Sequence, residues 1–365
     1  MSGRGLIILV AGLFVIGGTL YTTIFQRSET LTTNVVNSYN VEQAKNIANS
    51  AANLALSQLK NNSSWRTGYT AVQMGSGYYW VTLKDTVFNG SVCIRVIATG
   101  KTNYRTSTEV AYSCTAYVSS GFIPPAVKAA ISTNNNIETL GTLTVDGRDH
   151  DLNGNLVSNN GTFGIWTTKN FNQRGSSKVG GTFSSTDYSP SRPGSSNVIR
   201  TSQTYPGGYP GSPDSALGGP SMGFAEGTLK SMAMSGTNGG QYVTNPALLR
   251  YPLSGVTYVE LPSGGSWSPA NIEGTGILIV HNTAQNAVIR NINFGTFKGL
   301  LMADDIDKIH NTIIGAVIGL SPTPPSGNCI GNGSGTVLYS SQVLTSTTAT
   351  VSGTGGSSNV LAWKE

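Results

Sequence analysis

The sequence predicts a mainly β protein with one long N-terminal α-helix, a small antiparallel β head and a right-handed parallel β-solenoid. Three observations predict this fold class. An uncharged apolar run lies between Arg4 and Arg27, glycine is abundant at 46 of 365 residues, and short aliphatic runs recur about every 20 residues near the C-terminus.

Composition limits the classes of function. Charged residues make up only 11%, which disfavours a helical bundle, whereas the hydrophobic content of 38% is enough for a sizeable core and argues against global disorder. Lys and Arg number 22 against 17 Asp and Glu, a net charge of +5 that is spread along the chain without a basic run. We therefore expect no nucleic-acid partner.

The first predicted element is a helix over residues 1–60. Its run Leu6 to Phe25 has 20 residues, or about 30 Å of helix, which matches the thickness of a bilayer core. Apolar residues then recur every three to five positions as far as Leu59, no proline occurs before Pro124, and no Ala-x-Ala signal cleavage site follows the apolar run. The predicted helix thus has an apolar part, residues 6–25, and an amphipathic part.

This N-terminal pattern resembles the type IV pilin superfamily, and especially its PilX-like and pseudopilin-like branch. The run VEQAKNIANSAANLAL at 41–56 is similar to the "A…A.SG.N.AL" stretch that closes the helix in that branch. The resemblance implies a subunit that waits in the inner membrane, is trimmed by a prepilin peptidase, and is assembled by the pilus machinery into an extracellular helical filament on the bacterial surface. The filament core would then contain the apolar side chains of Leu6, Ile7, Ile8, Leu9, Val10, Leu13, Phe14, Val15, Ile16, Leu20, Ile24 and Phe25.

One position departs from the family pattern. Most members carry a Glu five residues into the mature chain, where it neutralises the amine of a neighbour. Here that position is Gly5 if Met1 is the mature start, and the first carboxylate is Glu29 if cleavage follows Gly3 or Gly5. This leaves open a major subunit, a minor or tip subunit, and an uncleaved membrane-anchored surface adhesin.

The second predicted region, residues 61–122, is the small antiparallel β head. A hairpin centred between Asn103 and Tyr104 would place Cys93 opposite Cys114, close enough for a disulfide; two buried thiols are the alternative. The third cysteine, Cys329, is interpreted as a small buried residue. The aromatic run 78–80 is interpreted as packing against the helix, with a glycan-binding strip as the alternative.

The third region, residues 127–365, is the predicted parallel β-solenoid. Its repeat consists of GILIVH at 276–281, KGLLMA at 298–303, GAVIGL at 315–320 and GTVLYS at 335–340, with earlier coils at AAIST, TLTVDG, NLVS and FGIWTT. The Gly/Pro-rich stretch 204–223 is a predicted surface insertion. The stretch 345–359 is interpreted as a flexible tail or as a strand added to a neighbour, and the uncharged surface suits contact with neighbouring subunits or glycans.

A calcium site is the one cofactor that the sequence suggests. The pattern D-x-D-x-N-G begins at Asp149 and supplies oxygen atoms at alternate positions, the arrangement that calcium prefers. The twelfth position, Asn160, is not the bidentate Glu of such loops, although Asp146 lies just upstream. A solenoid corner that caps its own backbone is the alternative. The candidate ligands are Asp149, Asp151, Asn153 and Asn155.

An enzyme is the weakest of the alternatives. Asp304, Asp305, Asp307 and His310 resemble the two carboxylates and the histidine of β-helical glycan hydrolases, but the other motifs of those enzymes are absent from the sequence. We therefore expect no catalytic site. The sequence predicts a structural subunit of a type IV pilus-like filament, with a surface adhesin and a glycan-active enzyme as alternatives.

Overall fold

A computed structural model describes residues 3–61, 65–88, 91–119, 121–325, 332–351 and 360–364. The chain divides into two compact units. The head unit contains residues 1–84, 95–116 and 362–365, and the body unit contains residues 85–94 and 117–361. The fold is mainly β with one long N-terminal helix, as predicted. Cys329 and the stretch 352–359 lie outside the described residues.

The first element, helix α1, runs from Gly3 to Asn61 over 59 residues, or about 88 Å. The absence of proline allows the unbroken hydrogen-bond ladder. Its second half has a buried stripe of small residues, in which Ala44, Ala48 and Ala51 are fully buried. Such a stripe lets a sheet approach the helix backbone closely. At Gly100, an added Cβ would lie 2.3 Å from the Ala44 carbonyl oxygen.

The head sheet has five strands in the order β1-β2-β3-β4-β25, and β1 and β2 pair antiparallel. The sequence predicts three of them, β2 to β4, and misses the first and the C-terminal strand. The five strands are β1 (Tyr69–Met74), β2 (Gly77–Phe88), β3 (Ser91–Thr102), β4 (Val110–Ser119) and β25 (Val360–Lys364).

The predicted disulfide between Cys93 and Cys114 is not formed in the structure, where both residues are buried thiols. The predicted turn centre is wrong, because residues 103–109 form a longer loop between the two strands. Thr99 and Ser113, whose hydroxyl oxygens lie 2.7 Å apart, are in contact across the two strands, whereas the predicted turn would place Thr99 opposite Thr108. The Cys114 thiol instead donates to the carbonyl oxygen of Ala48, 3.5 Å away.

The body unit is built from short strands joined by tight turns. In chain order they are β5 (Ala129–Thr133), β6 (Ile137–Gly141), β7 (Thr144–Asp146), β8 (Asp149–His150), β9 (Leu156–Val157), β10 (Phe163–Thr167), β11 (Phe171–Gln173), β12 (Lys178–Phe183), β13 (Thr186–Ser191), β14 (Ile199–Arg200), β15 (Gln241–Val243), β16 (Val256–Val259), β17 (Ser266–Trp267), β18 (Gly274–Val280), β19 (Val288–Ile289), β20 (Thr296–Ala303), β21 (Asp305–Ile306), β22 (Thr312–Gly319), β23 (Asn332–Gly333) and β24 (Thr336–Tyr339). Three short helices accompany them: α2 (Pro213–Ala216), α3 (Thr228–Ser235) and α4 (Ser341–Ala349).

The aliphatic repeat of the sequence forms parallel strands. β15, β16, β18, β20 and β22 pair in that order, each parallel to the next. Residues that face each other on neighbouring strands are 21, 23 and 16 positions apart in the sequence (257 and 278, 278 and 301, 301 and 317), close to the predicted spacing of 20. The strand interiors consist of buried Ile, Leu and Val, which is typical of parallel sheets covered on both faces.

The stack does not follow the order of the chain. The C-terminal half of β22 pairs in parallel with β5, so that Val317 faces Ile131, and β5 continues to β10 and β14 at intervals of 34 residues. The first strand of the body therefore lies in the middle of the stack. One column of facing residues runs through Gln241, Thr257, Leu278, Leu301, Val317, Ile131, Ile165 and Ile199.

Two further three-stranded parallel sheets follow the same stacking, in the orders β11-β6-β23 and β17-β19-β21. Two pairs are antiparallel: β12 with β13, and β8 with β9. The NLVS segment, predicted as a coil strand, is in this second pair, where Leu156 and Val157 are exposed. The Gly/Pro-rich stretch 204–223 contains α2 and the 3₁₀ turn 219–222.

Candidate functional site

The most distinctive surface is the apolar segment of α1, defined as residues 6–25. Its large side chains are exposed to extents from 43% at Val10 to 78% at Phe14. By length and composition this is the one described helix that could cross a membrane, with a mean hydropathy of 2.1 over its most apolar window, none of which is buried. A signal sequence passes the same test of length and composition, whereas the core helix of a soluble protein would be mostly buried.

The threonine hydroxyls of the apolar segment are satisfied within the helix. The Thr22 hydroxyl donates to the Gly18 carbonyl oxygen at 3.1 Å, and the Thr23 hydroxyl donates to the Thr19 carbonyl oxygen at 2.8 Å. The Thr19 hydroxyl donates to the Ile16 carbonyl oxygen at 2.9 Å. Since no side chain in this segment carries a charge, the helix can enter a dry environment without burying a charge.

The predicted calcium ligands are engaged in other contacts. Asp149 is buried, and its carboxylate accepts from the Ser341 amide at 2.8 Å, from the Ser341 hydroxyl at 2.6 Å and from the Asn160 amide at 2.9 Å. It therefore closes the first turn of α4. The half-buried Asp151 carboxylate accepts from the Asn155 side-chain amide and from the backbone amides of Asn155 and Asn153, and these hydrogen bonds lower the pKa of Asp151.

These contacts match the structural alternative, a polar corner that caps its own backbone. Asp146, just upstream, binds Arg148 with a closest oxygen–nitrogen distance of 2.7 Å and lies 3.6 Å from the His150 ring. No group of three or more His, Cys, Asp or Glu side chains that could hold a metal ion occurs in the described parts of the chain. Calcium binding stays a prediction that these contacts do not support.

The second acidic cluster is also occupied by protein donors. Asp304 is fully buried, and its carboxylate lies 2.5 Å from the Nδ1 atom of His281. Its other oxygen accepts from the backbone amides of Asn282 and Ala287, each at 3.1 Å. Both oxygens thus hold the loop between β18 and β19. His310, the predicted partner, instead lies against Ser334.

His281 was not predicted as a partner of this cluster, although the repeat contains a signal for it. Val280 faces Ala303, so the residues that follow them, His281 and Asp304, occupy equivalent positions after β18 and β20. Aligning GILIVH with GLLMAD by this register would have paired the two. Asp305, the other aspartate of the candidate catalytic set, is buried beside Asp304 in β21.

A groove of the body unit with a volume of about 660 Å³ lies along α3. Hydroxyl groups and a few apolar side chains line it, including Thr228, Ser231, Met232 and Val256. Glu226 is its only titratable lining residue, so the groove lacks the acid–base pair that hydrolysis of a glycan needs. Nearby, burial raises the pKa of Asp214, whose carboxylate accepts from two backbone amides at the start of α3.

Comparisons with family models, with curated proteins and with solved structures give no match to this chain. The functional interpretation therefore depends on the physical properties of the chain's own surfaces. Among those described above, the apolar segment of α1 differs most from the surface of an ordinary soluble domain.

Proposed function

We propose that the chain is a structural subunit of an extracellular type IV pilus-like filament, assembled through the apolar segment of α1. The observation that carries the proposal is an exposed, charge-free helical surface about 30 Å long, continuous with a buried Ala stripe that packs on the head sheet. A bilayer and a bundle of like helices are equally dry, so one surface suits both the membrane-inserted and the assembled subunit.

In this proposal the body unit is a parallel β-solenoid displayed outward from the filament. Support comes from the parallel pairing of successive turns and from the aliphatic interior of the strands. A solenoid of this kind offers a large, sparsely charged surface without any need for catalysis.

The missing Glu near the N-terminus favours a second candidate, an uncleaved membrane anchor that holds a surface adhesin. In a filament core without that carboxylate, the amine of a neighbouring subunit would need another partner. The two candidates differ in the fate of the N-terminus: a filament subunit is processed and released by shearing, whereas an anchor stays intact in the membrane.

The test is electron microscopy of material sheared from cells that express the full chain, with mass spectrometry of its N-terminal peptide. Filaments built from a processed chain are the expected result. The Leu13→Arg variant should lower the amount of chain recovered in sheared filaments by roughly a hundredfold, because a charge at the centre of a helix in a dry environment costs about 3 kcal/mol. The Leu13→Met variant, which keeps the segment apolar, should assemble like the native chain.

Two results would contradict the proposal. The first is an intact N-terminus on a chain found only in membranes, which would establish the anchored adhesin. The second is normal filament assembly by Leu13→Arg, since a filament core formed by this segment cannot accept that charge.

A further inference from the structure

One face of the head sheet exposes a cluster of rings and cations, here called the aromatic face and defined as Tyr78, Trp80, Lys101, Tyr104 and Arg105. The Tyr104 ring lies 5.0 Å from both the Tyr78 ring and the Trp80 ring. The Lys101 amine lies 5.2 Å from the Trp80 ring, and the Arg105 guanidinium lies 5.1 Å from the Tyr104 ring. Four of these residues are half-buried, and Arg105 is exposed.

Packing of the head does not require these rings. Side chains alternate between the two faces of a strand, and the opposite face of β2 supplies the buried residues Tyr79 and Val81, which are 5% and 2% exposed. Tyr79, the middle residue of the run 78–80, is therefore buried, and its ring lies 5.6 Å from that of Tyr69. Tyr78 and Trp80 share the other face, where large half-exposed rings indicate a contact surface.

The charge of the aromatic face is positive but small. Glu109 accepts from the Lys101 amine at 2.6 Å, and this contact, with the backbone amide of Arg105, lowers the pKa of the Glu109 carboxyl. Two cations and one anion leave a net charge of one, and Arg105 contributes its planar guanidinium at the exposed edge. Hydroxyl groups of Thr99 and Ser113 lie on the neighbouring strands.

We propose that the aromatic face binds an acidic glycan, a polysaccharide whose sugars carry carboxylates. A pyranose ring has one apolar face of C–H groups, which stacks on aromatic rings, and a rim of hydroxyls, which suits the polar neighbours. The Arg105 guanidinium matches a carboxylate in geometry and charge. A polyphosphate would need several unpaired cations, which this face does not offer.

Binding is independent of the proposed filament and is tested on the unassembled full chain in a detergent without a sugar headgroup. The probes are oligogalacturonate, a neutral oligogalactan of the same length and oligothymidylate, measured by isothermal titration calorimetry. We expect oligogalacturonate to bind most tightly, and added salt to weaken that binding. Trp80→Ala and Tyr104→Ser should each weaken it about tenfold, the scale of one aromatic contact.

The variants separate stacking from charge. Arg105→Gln should reduce binding of oligogalacturonate and leave that of the neutral oligogalactan unchanged. Tyr39→Ser and Arg250→Gln remove an exposed ring and an exposed cation elsewhere and should bind like the native chain. Tyr104 lies in a loop, so Tyr104→Ser keeps the test valid if Trp80→Ala fails to fold.

Three results would overturn the proposal: no binding of oligogalacturonate, unchanged binding by folded Tyr104→Ser, or tighter binding of oligothymidylate. Equal affinity for the acidic and the neutral glycan would also overturn it, because the cations would then have no role. None of these outcomes depends on whether filaments form.

Discussion

The glycines that precede the aliphatic runs of β18, β20 and β22 face one another, and substituting one of them tests the register of the body. Gly276 faces Gly299, which in turn faces Gly315. A Cβ atom built on Gly299 would lie 1.9 Å from the Gly276 carbonyl oxygen, 2.9 Å from its carbonyl carbon and 3.0 Å from its nitrogen. All three are backbone atoms, so no rotamer change relieves the overlap in Gly299→Ala.

The magnitude follows from the separation that the methyl group would force. Real Cβ contacts are not shorter than 3.0 Å, so the two strands must move apart by about 1.1 Å (3.0 minus 1.9). That movement costs roughly 1–3 kcal/mol as overpacking and about 1 kcal/mol for each of about two weakened ladder hydrogen bonds. We expect Gly299→Ala to lower the free energy of unfolding by about 4 kcal/mol, a large share of the 5–15 kcal/mol typical of a folded domain.

The assay is equilibrium denaturation of the full chain, followed by circular dichroism and tryptophan fluorescence. The matched control is Gly211→Ala, where the closest atom to the new methyl group is the side-chain nitrogen of Gln285, and rotation of that flexible side chain costs its hydrogen bond to the Gly211 carbonyl oxygen. The free energy of unfolding of the control should lie within about 1 kcal/mol of that of the native chain. A Gly299→Ala loss no larger than that of the control would refute the stacked register.

Two further predictions concern the head and the body separately. Gly100→Ala should destabilise the contact between α1 and the head sheet by about 3 kcal/mol in denaturation experiments, because its Cβ would meet the Ala44 backbone oxygen at 2.3 Å. The control is Gly12→Ala, which has no neighbour within 4 Å and should not be destabilised. The Lys230 amine, 2.6 Å from Glu260, is the main cause of that carboxyl's lowered pKa. The stabilisation of the folded chain by this contact is therefore present above the ordinary pKa of 4.5, and it is lost as the pH falls through the lower pKa of Glu260 in the folded chain. The free energies of unfolding of the native chain and of Glu260→Gln should differ by roughly 1 kcal/mol at neutral pH and become equal in acid. A difference that persists in strong acid would contradict the assignment of this stabilisation to the ionised Glu260 carboxylate.

Local patterns in the sequence predicted the elements well, because each depends on short-range chemistry. The uncharged run and the absence of proline predict α1, and alternating or aliphatic runs predict β2 to β4 and the strands of the repeat. Register depended on loop length, which composition does not determine. Residues 103–109 form a loop longer than the predicted turn, and Thr99 contacts Ser113 rather than the Thr108 that the predicted turn would place opposite it.

Contacts between distant parts of the chain could not be predicted. The pairing of Val317 with Ile131 joins segments more than 180 residues apart, and nothing in either local pattern specifies it. The same holds for Asp149, whose contact with Ser341 replaces the local calcium loop. His281 is different in kind: once the register of the repeat is known, its place beside Asp304 follows from the sequence alone.

The two ends of the main sheet bear on how subunits assemble. A parallel stack has an open edge at each end, and such edges add further strands unless they are blocked. At one end, α3 packs against β15 and β16. At the other end the last strand is the antiparallel β13, whose pairing with β12 is interrupted by an irregularity and whose Pro190 has no amide hydrogen to donate.

Addition of a further strand is therefore disfavoured beyond β13, whereas β14, which pairs with β10, is a third outer strand of that sheet. The apolar segment of α1 is the described surface with the largest exposed run of aliphatic side chains. The exposed helix thus supports an arrangement in which assembly is carried by the helix and the body stays free for contacts outside the filament. Truncation of residues 6–25 should abolish sheared filaments while the body remains folded, whereas filaments formed by the truncated chain would assign assembly to the body instead.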